Sequence, residues 1–183
     1  MKKDIYQNKT GTQLLTRLCY LALIGIMMSV LTLPAIAQTV LISPTGNGGF
    51  ESATATFAAN GWTVVSAANG NNWAVGATTF SAGSKSAYIS SNGGGNNNYN
   101  KRNFFGNDSR TVHFYRDVVF PAGETNIALS FKWKCGGESG SDDIKIFLAN
   151  TSVTPVSGSE VAAGNLIAGP HSGQGSSYQT VNI

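Results

Sequence analysis

Charge is scarce in this 183-residue chain: Asp, Glu, Lys and Arg together make up 11% of it, against about 25% in an average soluble protein. A highly charged disordered tail is excluded, and the balance is unlike that of an ordinary cytosolic enzyme. Cysteine is nearly absent, with only Cys19 and Cys135, so no disulfide framework of the small secreted kind is available. Histidine is limited to His113 and His171. No stretch keeps a helical period for more than about two turns, which excludes a coiled coil. One long apolar run is present, which excludes a polytopic membrane protein. The G-x-S-x-G elbow, the P-loop, H-E-x-x-H, C-x-x-C and the EF-hand loop are all missing, and with them the commonest hydrolytic, nucleotide and metal chemistries.

The apolar run sits at the beginning. Lys2, Lys3, Lys9 and Arg17 precede Leu18 to Leu33, and Ala35-Ile36-Ala37 forms an A-x-A site ahead of Gln38. This order is that of a secretory signal, residues 1–37, rather than of a membrane anchor, because Pro34 and the small residues after it favour cleavage. Cleavage removes four of the 12 basic residues and one of the nine acidic ones, leaving eight of each sign. The chain from Gln38 onward is therefore neutral. Nucleic acid is a poor partner for it, since Lys101-Arg102 and Lys132/Lys134 are too sparse to form a phosphate-binding surface. With Cys19 in the signal, Cys135 is left as a lone thiol with no base beside it, and reads as a strand-end residue.

Beyond the signal, period two dominates. Ile127 to Lys134 alternates large apolar residues with small or charged ones, and Ile144, Ile146 and Leu148 alternate with Lys145 and Ala149. Both patterns predict strands with one wet face. Thr111 to Phe120, Trp62 to Val65, Ala87 to Ile89, Val40 to Ile42 and Tyr178 to Ile183 are further candidates. Between them lie Gly, Asn and Ser clusters at 69–72, 90–100, 136–141 and 169–177, whose residues suit turns. Strands divided by turns, without intervening helices, predict an all-β antiparallel sandwich or barrel. The tract from Asn92 to Asn100 reads first as a long mobile loop and secondly as a rim loop beside a ligand site.

The chemistry on offer is thin. His113, Tyr115 and Asp117 alternate on one strand face, the usual pattern of a solvated sheet surface. His171-Ser172 are adjacent in sequence, which is not the geometry a base and a nucleophile need. Asp142 and Asp143 are consecutive, so on a strand they face opposite sides and make no shared catalytic pair. Glu51, Asp142 and Asp143 are the candidate ligands for calcium, which takes oxygen donors from loops of this composition. Trp62 and Trp133 read as core; Trp73 and Tyr99, in or beside Asn-rich loops, are the candidate ligand-stacking residues. No catalytic residue is assigned.

The order of several segments carries a resemblance. Gly48-Gly49-Phe50-Glu51, Asn60-Gly61-Trp62-Thr63, Asn71-Asn72-Trp73, the run Gly83 to Ser90, Leu129 to Trp133 and Asp143 to Ile146 together resemble a group of secreted jelly-roll modules. These are the gingipain-type cleaved-adhesin and MAM-like modules of large Bacteroidota surface proteins. Phe114 to Val118 and Phe120 to Thr125 resemble a subgroup at the N-termini of such proteins, and the likeness spans roughly residues 40 to 183. It implies a two-sheet jelly roll, export to the cell surface or the medium, binding instead of catalysis, and a place in a longer type IX secretion cargo. The chain stops within a predicted strand, which fits a domain over 38–183 truncated at its C-terminal end. The resemblance also implies calcium held by Glu51 and a later aspartate, although the acidic residues expected before the second tryptophan are missing from 66–72.

The resulting expectation is a non-catalytic binding module of an adhesin-like protein. It would recognise protein or glycan ligands and join further domains of the same polypeptide, without nucleic acid and with no membrane span after cleavage. The alternative is an ancillary carbohydrate-binding domain of a secreted hydrolase or protease.

Overall fold

In the computed structural model of the chain, residues 38–68, 70–99, 110–173 and 175–183 are described. The expected signal at 1–37 and the pair Lys101-Arg102 lie outside the described residues.

Among the described residues, eight strands and one short 3-10 turn make up the regular structure. All four ladders are antiparallel. Strand β1 (Thr63–Val65) pairs with β4 (His113–Tyr115), and β2 (Asn72–Gly76) with β3 (Ser86–Ser90). Strand β5 (Ser130–Trp133) pairs with β8 (Gln179–Asn182), and β6 (Asp143–Leu148) with β7 (Asn165–Ser172). The chain is thus nearly all β, in small antiparallel sheets of two strands each. The β5–β8 ladder runs one residue further, since Leu129 and Ile183 exchange both backbone hydrogen bonds at 2.9–3.0 Å. The β6–β7 register shifts twice, between Ile144 and Ile146 and again before Phe147. Such irregularities bend a ladder and increase its twist.

Period two explains the core. On β4 the middle residue, Phe114, joins a cluster of rings from three other segments. Trp62 and Trp73 meet it edge-on at 5.3 and 4.9 Å, Phe50 edge-on at 5.9 Å and Phe57 tilted at 5.1 Å. Edge-to-face pairs at these distances add about 0.5–1.5 kcal/mol each beyond area burial. Phe50 enters the cluster with a positive φ of 63°, a conformation that costs an L-residue roughly 1–2 kcal/mol. In return its ring packs inward while the next residue, Glu51, turns away to Ser84.

The 3-10 turn Ala58–Asn60 closes beneath this cluster, and Asn60 is completely buried. Its amide is satisfied on both sides: Oδ1 accepts from the Ser52 amide at 3.1 Å and Nδ2 donates to the Thr56 carbonyl at 2.8 Å. A buried amide with both ends bonded holds the 52–60 segment against the rings.

Several expected strands differ. Leu41 and Ile42 form bends, and Val40 before them is largely exposed and outside any strand. From Thr111 to Phe120, among the described residues, only His113–Tyr115 pairs in a ladder, and Val119 is 88% exposed. Strand β2 begins inside the predicted Asn turn, and β7 runs into the predicted Gly-rich loop as far as Ser172.

Candidate functional site

The Asn-rich tract is held in place by its own side chains. Ser90 Oγ accepts from the amides of Asn92 and Gly94 and donates to Asn92 Oδ1. Asn92 Oδ1 also accepts from the Asn96 amide, and the Ser91 amide donates to the Asn98 carbonyl. Below it, the Tyr88 hydroxyl accepts from Thr78 and donates to the Gly94 carbonyl at 2.7 Å. Asn and Ser here act as turn-formers that bond locally to the backbone.

This folding delivers Tyr99 to the loop at 136–142. Its hydroxyl donates to Asp142 Oδ2 at 2.6 Å, and the same oxygen accepts from the Glu138 amide at 2.7 Å. The length is that of a charge-assisted O–H to carboxylate bond. The bonded Asp142 carboxylate, helped by partial burial, pushes the Tyr99 phenol up to about 12. The 136–142 loop is closed further by the Asp142 amide to the Glu138 carbonyl and the Gly140 amide to Ser172 Oγ. Cys135 lies at its base; its thiol points to the Asp142 carbonyl at 3.5 Å, and its own carbonyl accepts from the Gly175 amide. Two candidates from different lists, the stacking residue Tyr99 and the metal ligand Asp142, are therefore brought together.

Asp143, the first residue of β6, turns to another partner. It lies 3.6 Å from Lys145 Nζ, which also pairs with Glu160. The Glu160 carboxylate chiefly holds the Lys145 ammonium above its ordinary range. A surface pair of this kind contributes about 0–1 kcal/mol.

Glu51 is engaged by the segment before β3. Its carboxylate accepts from the Ser84 hydroxyl at 2.6 Å, the Ser84 amide at 3.0 Å and the Lys85 amide at 3.1 Å. The Ser84 hydroxyl, then the two amides, hold its carboxyl below the usual range. Gly83, at φ +73°, makes room for it, since a Cβ there would overlap Glu51 Oε1. Among the described residues, no group of three or more His, Cys, Asp or Glu side chains is arranged to hold a metal ion.

Trp73 is placed in the aromatic cluster. It is half-buried, edge-on to Phe114, with its indole N–H donating to the Val112 carbonyl at 3.0 Å. Trp62 belongs to the same cluster and Trp133 is buried, as expected for both. The two histidines have structural neighbours as well. His113 Nε2 sits 2.9 Å from the Ser159 carbonyl, and His171, paired with Ile144 in β7, lies 4.8 Å from the Trp133 ring.

Sequence reasoning missed Arg116, whose guanidinium covers Trp62 at 5.1 Å. The signal was present, because Phe114 and Arg116 are two apart and so share a face of the extended chain.

These features define a nearly all-β protein whose polar loops are fixed by side-chain hydrogen bonds on an antiparallel scaffold. No known family, curated protein or solved structure matches the chain.

Proposed function

We propose that the chain is an exported, non-catalytic binding module of an adhesin-like surface or secreted protein, recognising protein or glycan ligands through its loops. The carrying observation is the Tyr99–Asp142 bond, which ties the Asn-rich loop to the 136–142 loop. Loops fixed on a rigid β scaffold are where binding residues concentrate. The tie lowers the entropy lost when a ligand orders such a surface. A two-sheet jelly roll of the adhesin group is the proposed arrangement for the antiparallel ladders. Its support is the order of motifs from Gly48-Gly49-Phe50-Glu51 to Asp143-Ile144-Lys145-Ile146. Export rests on the n-region, apolar run and A-x-A site of residues 1–37. Among the described residues no helix is long and apolar enough to cross a membrane.

Calcium belongs to the same reading. Its proposed place is the oxygen-rich loop ending in Asp142 and Asp143. At Glu51 the ion has to displace three hydrogen-bond donors before it can bind.

The test is retention of the full chain on immobilised polysaccharides and on extracted cell-surface protein. Saturable retention, weakened in Tyr99→Ala, supports the proposal. Absence of retention on every matrix counts against it.

A further inference from the structure

Asparagine stands directly before glycine at Asn47, Asn60, Asn69 and Asn92; Asn69 lies outside the described residues. At such a pair the glycine nitrogen can close a five-membered ring on the asparagine side-chain carbon, because no Cβ obstructs the approach. Closure needs an exposed side chain, a glycine N–H not tied to an acceptor, and stabilisation of the charge that develops on Oδ1. The fold treats the three described pairs differently.

Asn60 is fully buried with its amide bonded at both ends, and the Gly61 N–H donates to the Ala58 carbonyl at 3.0 Å. Asn47 is exposed, but the Gly48 N–H donates to the Ser43 carbonyl at 2.8 Å, and Ile42 and Ser43 crowd that glycine so closely that a Cβ would overlap both. Asn92 is exposed, and among the described residues the Gly93 N–H has no acceptor. Nothing lies within 4 Å of where a Cβ on Gly93 would stand, so its nitrogen has room to swing toward Asn92 Cγ.

The Asn92 amide is also prepared for attack. Its Oδ1 accepts from the Ser90 hydroxyl at 2.8 Å and the Asn96 amide at 3.1 Å. Fixed donors at that oxygen stabilise the negative charge that builds there as Cγ is attacked. A Cβ on Gly95 would stand 2.8 Å from Nδ2, the leaving nitrogen, so the bare glycine leaves it room to depart.

We propose that Asn92 is a site of spontaneous covalent modification, Asn92-Gly93 converting to a succinimide and then to aspartate and isoaspartate. The Gly93 nitrogen bonds to Asn92 Cγ, and its proton passes through water to Nδ2, which leaves as ammonia when the Cγ–Nδ2 bond breaks. One water then opens the ring at either carbonyl, giving aspartate or isoaspartate, and nothing is oxidised or reduced. Either product sets a carboxylate in the tract that leads to Tyr99. Isoaspartate also lengthens the backbone by one carbon, just ahead of the bonds that hold Asn96 and Asn98. The inference stands apart from the binding reading, and neither needs the other.

The test holds the full chain in mildly alkaline buffer, folded in one arm and unfolded by urea in the other. Aspartate and isoaspartate are mapped over time by peptide mass spectrometry with fragmentation. In the folded arm Asn92 is expected to react ahead of Asn47 and Asn60 by roughly tenfold, the factor that giving up one ordinary hydrogen bond carries. In urea the three pairs should react at similar rates. Asn47 or Asn60 keeping pace with Asn92 in the folded chain overturns the proposal. So does the same preference in urea, because sequence and not the fold would then set it.

Discussion

Tyr99 and Asp142 are 43 residues apart in the chain and 2.6 Å apart in the structure, hydroxyl to carboxylate. The bond joins the loop after β3 to the loop between β5 and β6. One phenol thereby couples two segments that have no backbone ladder in common.

The phenol of Tyr99 is therefore expected to titrate near 12, against about 10 for an unperturbed tyrosine. A folded value raised above the unfolded one means that the tie stabilises fully below about pH 10 and is lost as pH rises through 12. Tyrosine 13Cζ shifts read this directly. Asp142→Asn removes the charged acceptor and should return Tyr99 toward 10; an unchanged value would show that burial and not the carboxylate sets it.

Glu51 has the opposite sign. Its carboxyl is held low by Ser84 and Lys85, so its contribution is present above the ordinary carboxylate range and lost as pH falls through the lowered folded value. Glu51→Gln should flatten the acid limb of a stability profile while leaving the neutral-to-alkaline slope alone. Urea melts at a series of pH values measure this, and parallel profiles for both proteins would contradict it.

At the hydrophobic centre, Phe114→Ala should cost about 3 kcal/mol, because four other rings lose their common neighbour. Val119→Ser, at a side chain 88% exposed, should stay within about 0.5 kcal/mol. Chemical denaturation with both variants compares them; equal costs would displace Phe114 from the centre of the core.

Asn60→Ala strands the Ser52 amide and the Thr56 carbonyl, both partners of a fully buried side chain. Leaving buried groups unpaired costs about 1–3 kcal/mol each. The same melts measure it, and a loss under about 0.5 kcal/mol would mean that water replaces the amide.

Calcium is checked by melting the chain with the ion and with chelator. An ion at 100 times its dissociation constant should add about 2.7 kcal/mol. Identical curves remove calcium from the account.

How legible this was in the sequence depended on the segment. Ile144 and Ile146 are half-buried on β6 as alternation predicts, whereas Leu148, past two register shifts, is 49% exposed. Val40 to Ile42 and Val118 to Phe120 alternate or cluster equally well, yet among the described residues no strand pairs with them, and period alone does not reveal a partner. Strands β2 and β7 are masked by turn-forming residues: Asn72 opens one, and Gly169 and Pro170 lie within the other. Tyr99 and Asp142 were each singled out, but as members of separate sites. Their meeting depends on how Ser90 and Asn92 fold the loop that leads to Tyr99, a tertiary fact that spacing does not carry. Trp73 was read by its Asn-rich surroundings, whereas Phe114 across from it decides where its ring goes.

The most direct measurement maps the bound surface. An oligosaccharide cut from whichever polysaccharide retains the chain is titrated into 15N-labelled protein while backbone amide shifts are followed. Saturable shifts are expected at residues 92–99 and 136–142, abolished in Asp142→Asn. Shifts confined to other segments, or unaltered in that variant, would contradict it.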